Sequence, residues 1–244
     1  MRLLGLDFAD LTAAEAAAWL GRRPASAPFG YVTTPNADHL VRLHRRPDLR
    51  PLYEGAMLRL LDSRVVALAA RLLALPTPHV APGSDLTAFL LACHLQAEER
   101  ITIVGLSPAW LPSLVARCHL TAPAHFDPPR GFERHPSTLR TVVDFVVAHP
   151  ARFTFFAVGS PRQEILAAAI EATGQATGVG LCIGAGLEFL AGAQTRAPGW
   201  MQRTSLEWLH RLGRDPLRMA RRYLVDSPAI LPMLLQERLA PESG

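Results

Sequence analysis

Lysine is absent from this chain of 244 residues, so all 25 of its Lys and Arg positions are arginine. The planar, bidentate guanidinium suits phosphate, although a lysine-free chain is also what compositional bias alone produces. Cysteine is nearly absent. Cys93, Cys118 and Cys182 stand far apart and are odd in number, which argues against a disulfide framework and for a reducing compartment. No apolar run reaches the ~18 residues that a membrane-spanning helix needs, and Arg71 interrupts the most apolar region, 65–75. Residues 1–10 hold two acids and no long apolar block, so they do not read as a signal peptide. With 49% hydrophobic and 19% charged residues, the composition excludes global disorder. The length suits one full core with a small appendage. The expectation is a cytoplasmic protein.

Familiar site motifs are missing as well. There is no P-loop, no H-E-x-x-H and no C-x-x-C, and the nine histidines lack ligand spacing, so neither metal nor cofactor is expected. No Asp-x-Asp pair is present to hold a metal on a nucleotide diphosphate. Gly184-Ala185-Gly186 resembles the start of a dinucleotide fingerprint, but Phe189 stands where the third glycine belongs, and the motif opens no obvious helix. A nicotinamide-dependent oxidoreductase is therefore disfavoured.

What is present is an alternation of strand and helix patterns. Thr12 and Glu15 form a capping box for a helix through Leu20. Strands are expected over 29–34, 57–61, 101–104, 153–158 and 179–183. Helices are expected up to Arg46, up to Leu75, and over 85–96, 108–119, 138–148 and 161–173. This order implies an α/β fold: a Rossmann-like, mostly parallel sheet with helices on both faces, over 1–195. Residues 196–244 read as a helical C-terminal appendage. Ligands of such sheets bind beyond the carboxyl ends of the strands.

Three such ends carry candidate chemistry. In Gly159-Ser160-Pro161-Arg162-Gln163-Glu164 a buried strand runs into a glycine and a proline starts a helix. That places free N–H groups where a phosphate can sit. The alternative is an ordinary strand-to-helix turn with Glu164 balancing the helix dipole. Asp62, before Ser63, is either the N-cap of the next helix or a base in the crevice. Thr34 and Asn36 either hydrogen-bond a sugar or cap a helix. Between Arg196 and Arg222 stand seven arginines against two acids, a basic end suited to nucleic acid, anionic lipid or a diphosphate.

Taken in order, these pieces resemble the WecG/TagA/CpsF family of glycosyltransferases. The elements are Thr34-Pro35-Asn36, Asp62 before an Arg71-containing helix, Gly83-Ser84-Asp85, Gly159 to Glu164, Phe189-Leu190-Ala191-Gly192 and Arg196-Ala197-Pro198. Glu207-Trp208-Leu209-His210-Arg211-Leu212 and Pro216-x-Arg218-x-x-Arg221-Arg222-Tyr223 follow. The likeness covers roughly 3–224.

The resemblance implies a metal-independent, inverting transferase. It would move N-acetylmannosamine, its uronic acid or glucose from a UDP-sugar to an undecaprenyl-diphosphate-linked acceptor. Asp62 would be the general base. Thr34, Asn36 and Gln163 would line the donor pocket, with Asp85 and Gly159 also counted among the substrate-binding positions. Arg211, Arg218, Arg221 and Arg222 would lie on an appendage that closes over the site and meets an anionic membrane from the cytoplasmic side. Relatives self-associate, so a homo-oligomer is possible; nucleic acid is not an expected partner. This chain departs from the family in Ser63, where a glycine is usual. It also has Pro78-His79-Val80 where an arginine is common, and His79 is the candidate substitute. These departures motivate one alternative, a catalytically impaired nucleotide- or lipid-binding scaffold of the same fold.

Overall fold

The computed structural model describes residues 1–96, 98–193, 201 and 229–239. A two-stranded antiparallel hairpin, β1 (Arg2–Leu3) and β2 (Leu6–Asp7), opens the chain. Helix α1 (Ala13–Gly21) follows, and its capping box forms as its sequence predicts: Thr12 Oγ1 accepts from the Glu15 N–H, and the Glu15 carboxylate accepts from the Thr12 N–H.

The body is a six-stranded sheet made of β3 (Gly30–Thr33), β4 (Leu58–Arg59), β5 (Thr102–Gly105), β6 (Ala124–Phe126), β7 (Phe153–Ala157) and β8 (Val179–Cys182). Its order is β4-β3-β8-β7-β5-β6, and every neighbouring pair is parallel. The central strands are buried along their length, as parallel strands covered on both faces must be. Residues alternate between the two sides. Ile103, Phe155 and Leu181 join a core beneath α1, α5 (Gly83–Phe89), α6 (Leu111–Cys118) and α9 (Gly186–Ala191). Val104, Phe156 and Cys182 join the opposite core beneath α7 (Pro136–Ala148) and α8 (Arg162–Glu171). A third cluster gathers the hairpin, α2 (Ala37–Arg45), α4 (Arg64–Leu72) and the C-terminal helix α10 (Ile230–Leu239), with the short α3 (Arg50–Glu54) contributing Tyr53.

The first and last strands of the sheet in chain order, β3 and β8, lie side by side. From β3 the chain steps outward to β4, then crosses to β5 on the far side. Such a reversal leaves a crevice beyond the carboxyl ends of the middle strands.

The α/β architecture and its parallel sheet agree with the sequence pattern; several details differ. The hairpin, β6 and α3 are too short to leave a periodic signal. The segment expected as one helix over 85–96 ends in a π turn at Leu90–His94. Gly186 does open a helix, correcting the expectation for Gly184-Ala185-Gly186. That helix has six residues and its N-cap, Ala185, makes no side-chain cap, so no start signal stands in the sequence. The tail motifs from Arg196 to Pro198 and from Glu207 to Tyr223, with Arg211, Arg218, Arg221 and Arg222, lie outside the described residues.

Candidate active site

Three of the sequence-predicted residues, Thr34, Asp62 and Gln163, are linked at the ends of β3, β4, β7 and β8. Past β4, Leu60 N–H donates to Thr33 O at 3.0 Å and Asp62 N–H to Pro35 O at 3.0 Å, which keeps the chain beside β3 up to Asp62. The capping role considered for Asp62 falls to its neighbour. Ser63 is the N-cap of α4, its Oγ accepting from Val66 N–H at 3.2 Å. The Asp62 carboxylate turns instead to Gly83, whose N–H donates to Oδ2 at 3.2 Å. Serine thus takes over the capping task, and the half-buried carboxylate is oriented by a backbone donor at the start of α5.

Gly83 brings the two middle strands to the same point. A β-carbon there would stand 2.9 Å from Thr34 Oγ1 and 3.4 Å from Ile183 Cα, so only glycine lets α5 begin this close to them. Thr34 is buried and donates to Cys182 O at 3.2 Å, tying the end of β3 to that of β8. Asn36 caps α2, its Oδ1 accepting from Asp38 and His39 N–H at 3.1 and 3.3 Å. Its amide nitrogen makes no hydrogen bond to a described residue. Asp85 stands half-buried in the first turn of α5.

The other wall starts at Gly159, whose φ of +77° belongs to the left-handed region where glycine is favoured; the Ser160–Pro161 peptide that follows is cis. Gln163, 2% exposed, uses both ends of its carboxamide. Oε1 accepts from Gly184 N–H at 3.0 Å, and Nε2 donates to Glu164 Oε1 at 2.9 Å. Glu164 is wholly buried, and burial raises its carboxyl pKa against the smaller pull of the Gln163 amide and the Ser160 hydroxyl. Glu164 stands in the first turn of α8, where the alternative sequence reading put it to balance the helix dipole, and its burial disfavours the charge that this role needs. Ser160 Oγ accepts from Arg42 Nη1 at 3.0 Å and lies 3.0 Å from the hydroxyl of Tyr53. Arg42 also pairs with Asp38 at 2.8 Å. Burial drives the Tyr53 phenol upward, keeping it neutral. Sequence reasoning missed Arg42, Tyr53 and the burial of Glu164; the regular apolar spacing of α2 hides Arg42 among solvated charges.

His79 sits apart from these hydrogen bonds. Its Nδ1 lies 2.7 Å from Asp10 Oδ1, its backbone N–H donates to the same oxygen at 2.9 Å, and the ring is largely exposed. A cavity of about 220 Å³ under α10, lined in part by Leu40, Arg50 and Glu237, holds none of the strand-end residues. Among the described residues no three His, Cys, Asp or Glu side chains are grouped to hold a metal ion.

A carboxylate held at a strand end, a second wall of neutral amide and hydroxyl groups, and a parallel sheet with a central crevice together suit transfer chemistry on a polar substrate. The chain belongs to the Glycosyl transferase WecG/TagA/CpsF family, whose model matches residues 1–244; it is a glycosyltransferase. It is 25% identical over 209 residues to the N-acetylglucosaminyldiphosphoundecaprenol N-acetyl-beta-D-mannosaminyltransferase of Bacillus spizizenii, covering 85% of this chain and 80% of that relative.

Proposed function

We propose that the protein moves a hexose, of the N-acetylmannosamine, mannosaminuronic acid or glucose type, from a UDP-sugar to a hydroxyl of an undecaprenyl-diphosphate-linked saccharide. The reaction serves cell-surface polysaccharide synthesis and takes place at the inner face of the membrane. The observation that carries this reading is the Asp62 carboxylate, released from capping by Ser63 and fixed by Gly83 N–H at the mouth of the crevice. Asp62 accepts the acceptor hydroxyl proton as that oxygen forms its bond to the anomeric carbon from the face opposite the leaving group. The bond between the anomeric carbon and the diphosphate oxygen breaks, UDP departs with the electron pair, and the anomeric configuration inverts. Thr34, Asn36 and Gln163 line the donor side, with Asn36 offering its free amide nitrogen. The negative charge growing on UDP calls for cations; the arginines at 211, 218, 221 and 222 supply them, and no metal is required. Asp85 counts among the substrate-binding positions in this scheme, and His79 stands in for the arginine common in the family. The relative's printed name, which carries both the undecaprenyl diphosphate acceptor and the mannosaminyl group, supports the choice of substrates.

The test is a screen of UDP-sugars against undecaprenyl-diphosphate-linked acceptors in EDTA, following UDP release. One donor–acceptor pair should turn over with chelator present. Activity lost in EDTA and restored by Mg²⁺ or Mn²⁺ would overturn metal independence. UDP binding without turnover of any pair would favour the scaffold alternative.

A further inference from the structure

Two arginines flank the turn that follows β7, and they are held differently. Arg42, on α2, is committed: its Nη1 donates to Ser160 Oγ at 3.0 Å, and its Nη2 pairs with Asp38 at 2.8 Å. Arg162, the first residue of α8, is half-buried and makes no hydrogen bond or ion pair with a described residue. Its guanidinium folds back over Gly159. A β-carbon on that glycine would stand 3.2 Å from Arg162 Nη2, and among the described residues beyond its chain neighbours it would meet nothing else within 4 Å. Open space also lies over Gly184, beyond β8, where a β-carbon would meet nothing within 4 Å. Gln163, next to Arg162, accepts from the Gly184 N–H. The free guanidinium therefore stands where the ends of the two middle strands are uncovered by the described residues, in the crevice that ligands of such sheets use.

An arginine at this position works against its own helix. The first turn carries the positive end of the helix dipole, where acids are favoured and cations are not. Pro161, the N-cap, offers no side-chain cap. Glu164, the acid of that first turn, is wholly buried with its carboxyl pKa raised, so it supplies little compensating charge. A cation set against the local rule and left without a partner is the pattern of a residue kept for a ligand, and an anion is the ligand that would relieve it.

We infer that Arg162 is a catalytic residue of the transfer: its guanidinium receives the diphosphate of the donor and steadies the charge that grows there as the bond to the anomeric carbon breaks. Its fork of N–H groups suits two phosphate oxygens at once. The inference rests on the proposed reaction and deepens it, placing a cation inside the sheet domain in addition to those of the tail.

The experiment titrates UDP into the full chain and its variants by calorimetry and records their melting temperatures. Arg162→Ala and Arg162→Lys are the test; Arg140→Ala, which removes an exposed arginine of α7, is the control. Arg162→Ala should bind UDP about tenfold or more weakly and transfer sugar correspondingly more slowly. It should melt no lower than the parent, because the start of α8 loses an unfavourable charge. Arg162→Lys should recover part of the affinity, since it keeps the charge and loses the fork. The control should match the parent. UDP affinity of Arg162→Ala within twofold of the parent would overturn the inference. So would a melting temperature that falls along with the affinity, which would make Arg162 a structural residue. A parent that binds no UDP would overturn the proposed donor, and the inference with it; that first titration tells the two failures apart.

Discussion

The two walls of the crevice are built differently. On the β4 side, Asp62 is half-buried and its carboxylate is oriented by the Gly83 N–H. On the β7 side, Gln163 and Glu164 are both buried and Gln163 is hydrogen-bonded at both ends of its amide, with Ser160, Tyr53 and Arg42 behind them. On the proposed function, the difference separates reactivity from support. A base that takes a proton from an incoming hydroxyl needs access. A wall that sets the shape of a donor pocket needs fixed partners, since an unpaired buried polar group is costly.

The comparison breaks most visibly at Gln163. Replacing it by Ala leaves Gly184 N–H and the Glu164 carboxyl without their partner, so Gln163→Ala should lose about 2–4 kcal/mol of stability in urea unfolding, on the scale of two unsatisfied buried groups. Asp62→Ala in the same assay should lose under about 1 kcal/mol, because water can replace its role. Equal losses at the two positions would erase the distinction.

Glu164 sharpens it through pH. Its carboxyl titrates above the ordinary 4.5 because it is buried, so between 4.5 and its raised value the folded state holds a proton that the unfolded state has released. Stability from this group is fully present below 4.5 and is lost as pH rises toward the folded value. Glu164→Gln keeps a neutral side chain of the same shape, so the variant should gain on the parent as pH rises above 4.5 and match it below. Denaturant midpoints across that range check this; a gap that widens toward acid would mean that Glu164 is charged in the folded protein.

The smallest effect belongs to Ser63. As the N-cap of α4 it should contribute about 1 kcal/mol, so Ser63→Ala should lower thermal stability slightly. Turnover should change little, because Asp62 is oriented by Gly83. A loss of turnover far exceeding the loss of stability would show that Ser63 holds Asp62 in place.

Much of this was legible in the chain. The alternation of strand and helix patterns located all but one of the sheet strands, and Thr34, Asp62 and Gln163 were marked by falling at strand ends. The exception, β6, has three residues that are only partly buried, too few for a period. The network behind Gln163 was illegible for another reason: Ser160 is 118 residues from Arg42 and 107 from Tyr53, and no local pattern connects positions so far apart. The apolar stretch 230–235 is continuous in sequence, but helical geometry divides it. Ile230 and Leu234 enter the core while Leu231 and Leu235 face outward, a division that depends on where the helix docks.

The central claim is that Asp62 is the base. The most direct measurement is turnover of Asp62→Asn alongside its affinity for UDP. Asparagine keeps the size and can still accept from Gly83 N–H, but it cannot take a proton at neutral pH. Turnover should fall about 100-fold or more, with UDP affinity and melting temperature near those of the parent. Turnover within a few-fold of the parent, at unchanged UDP affinity, would contradict the assignment.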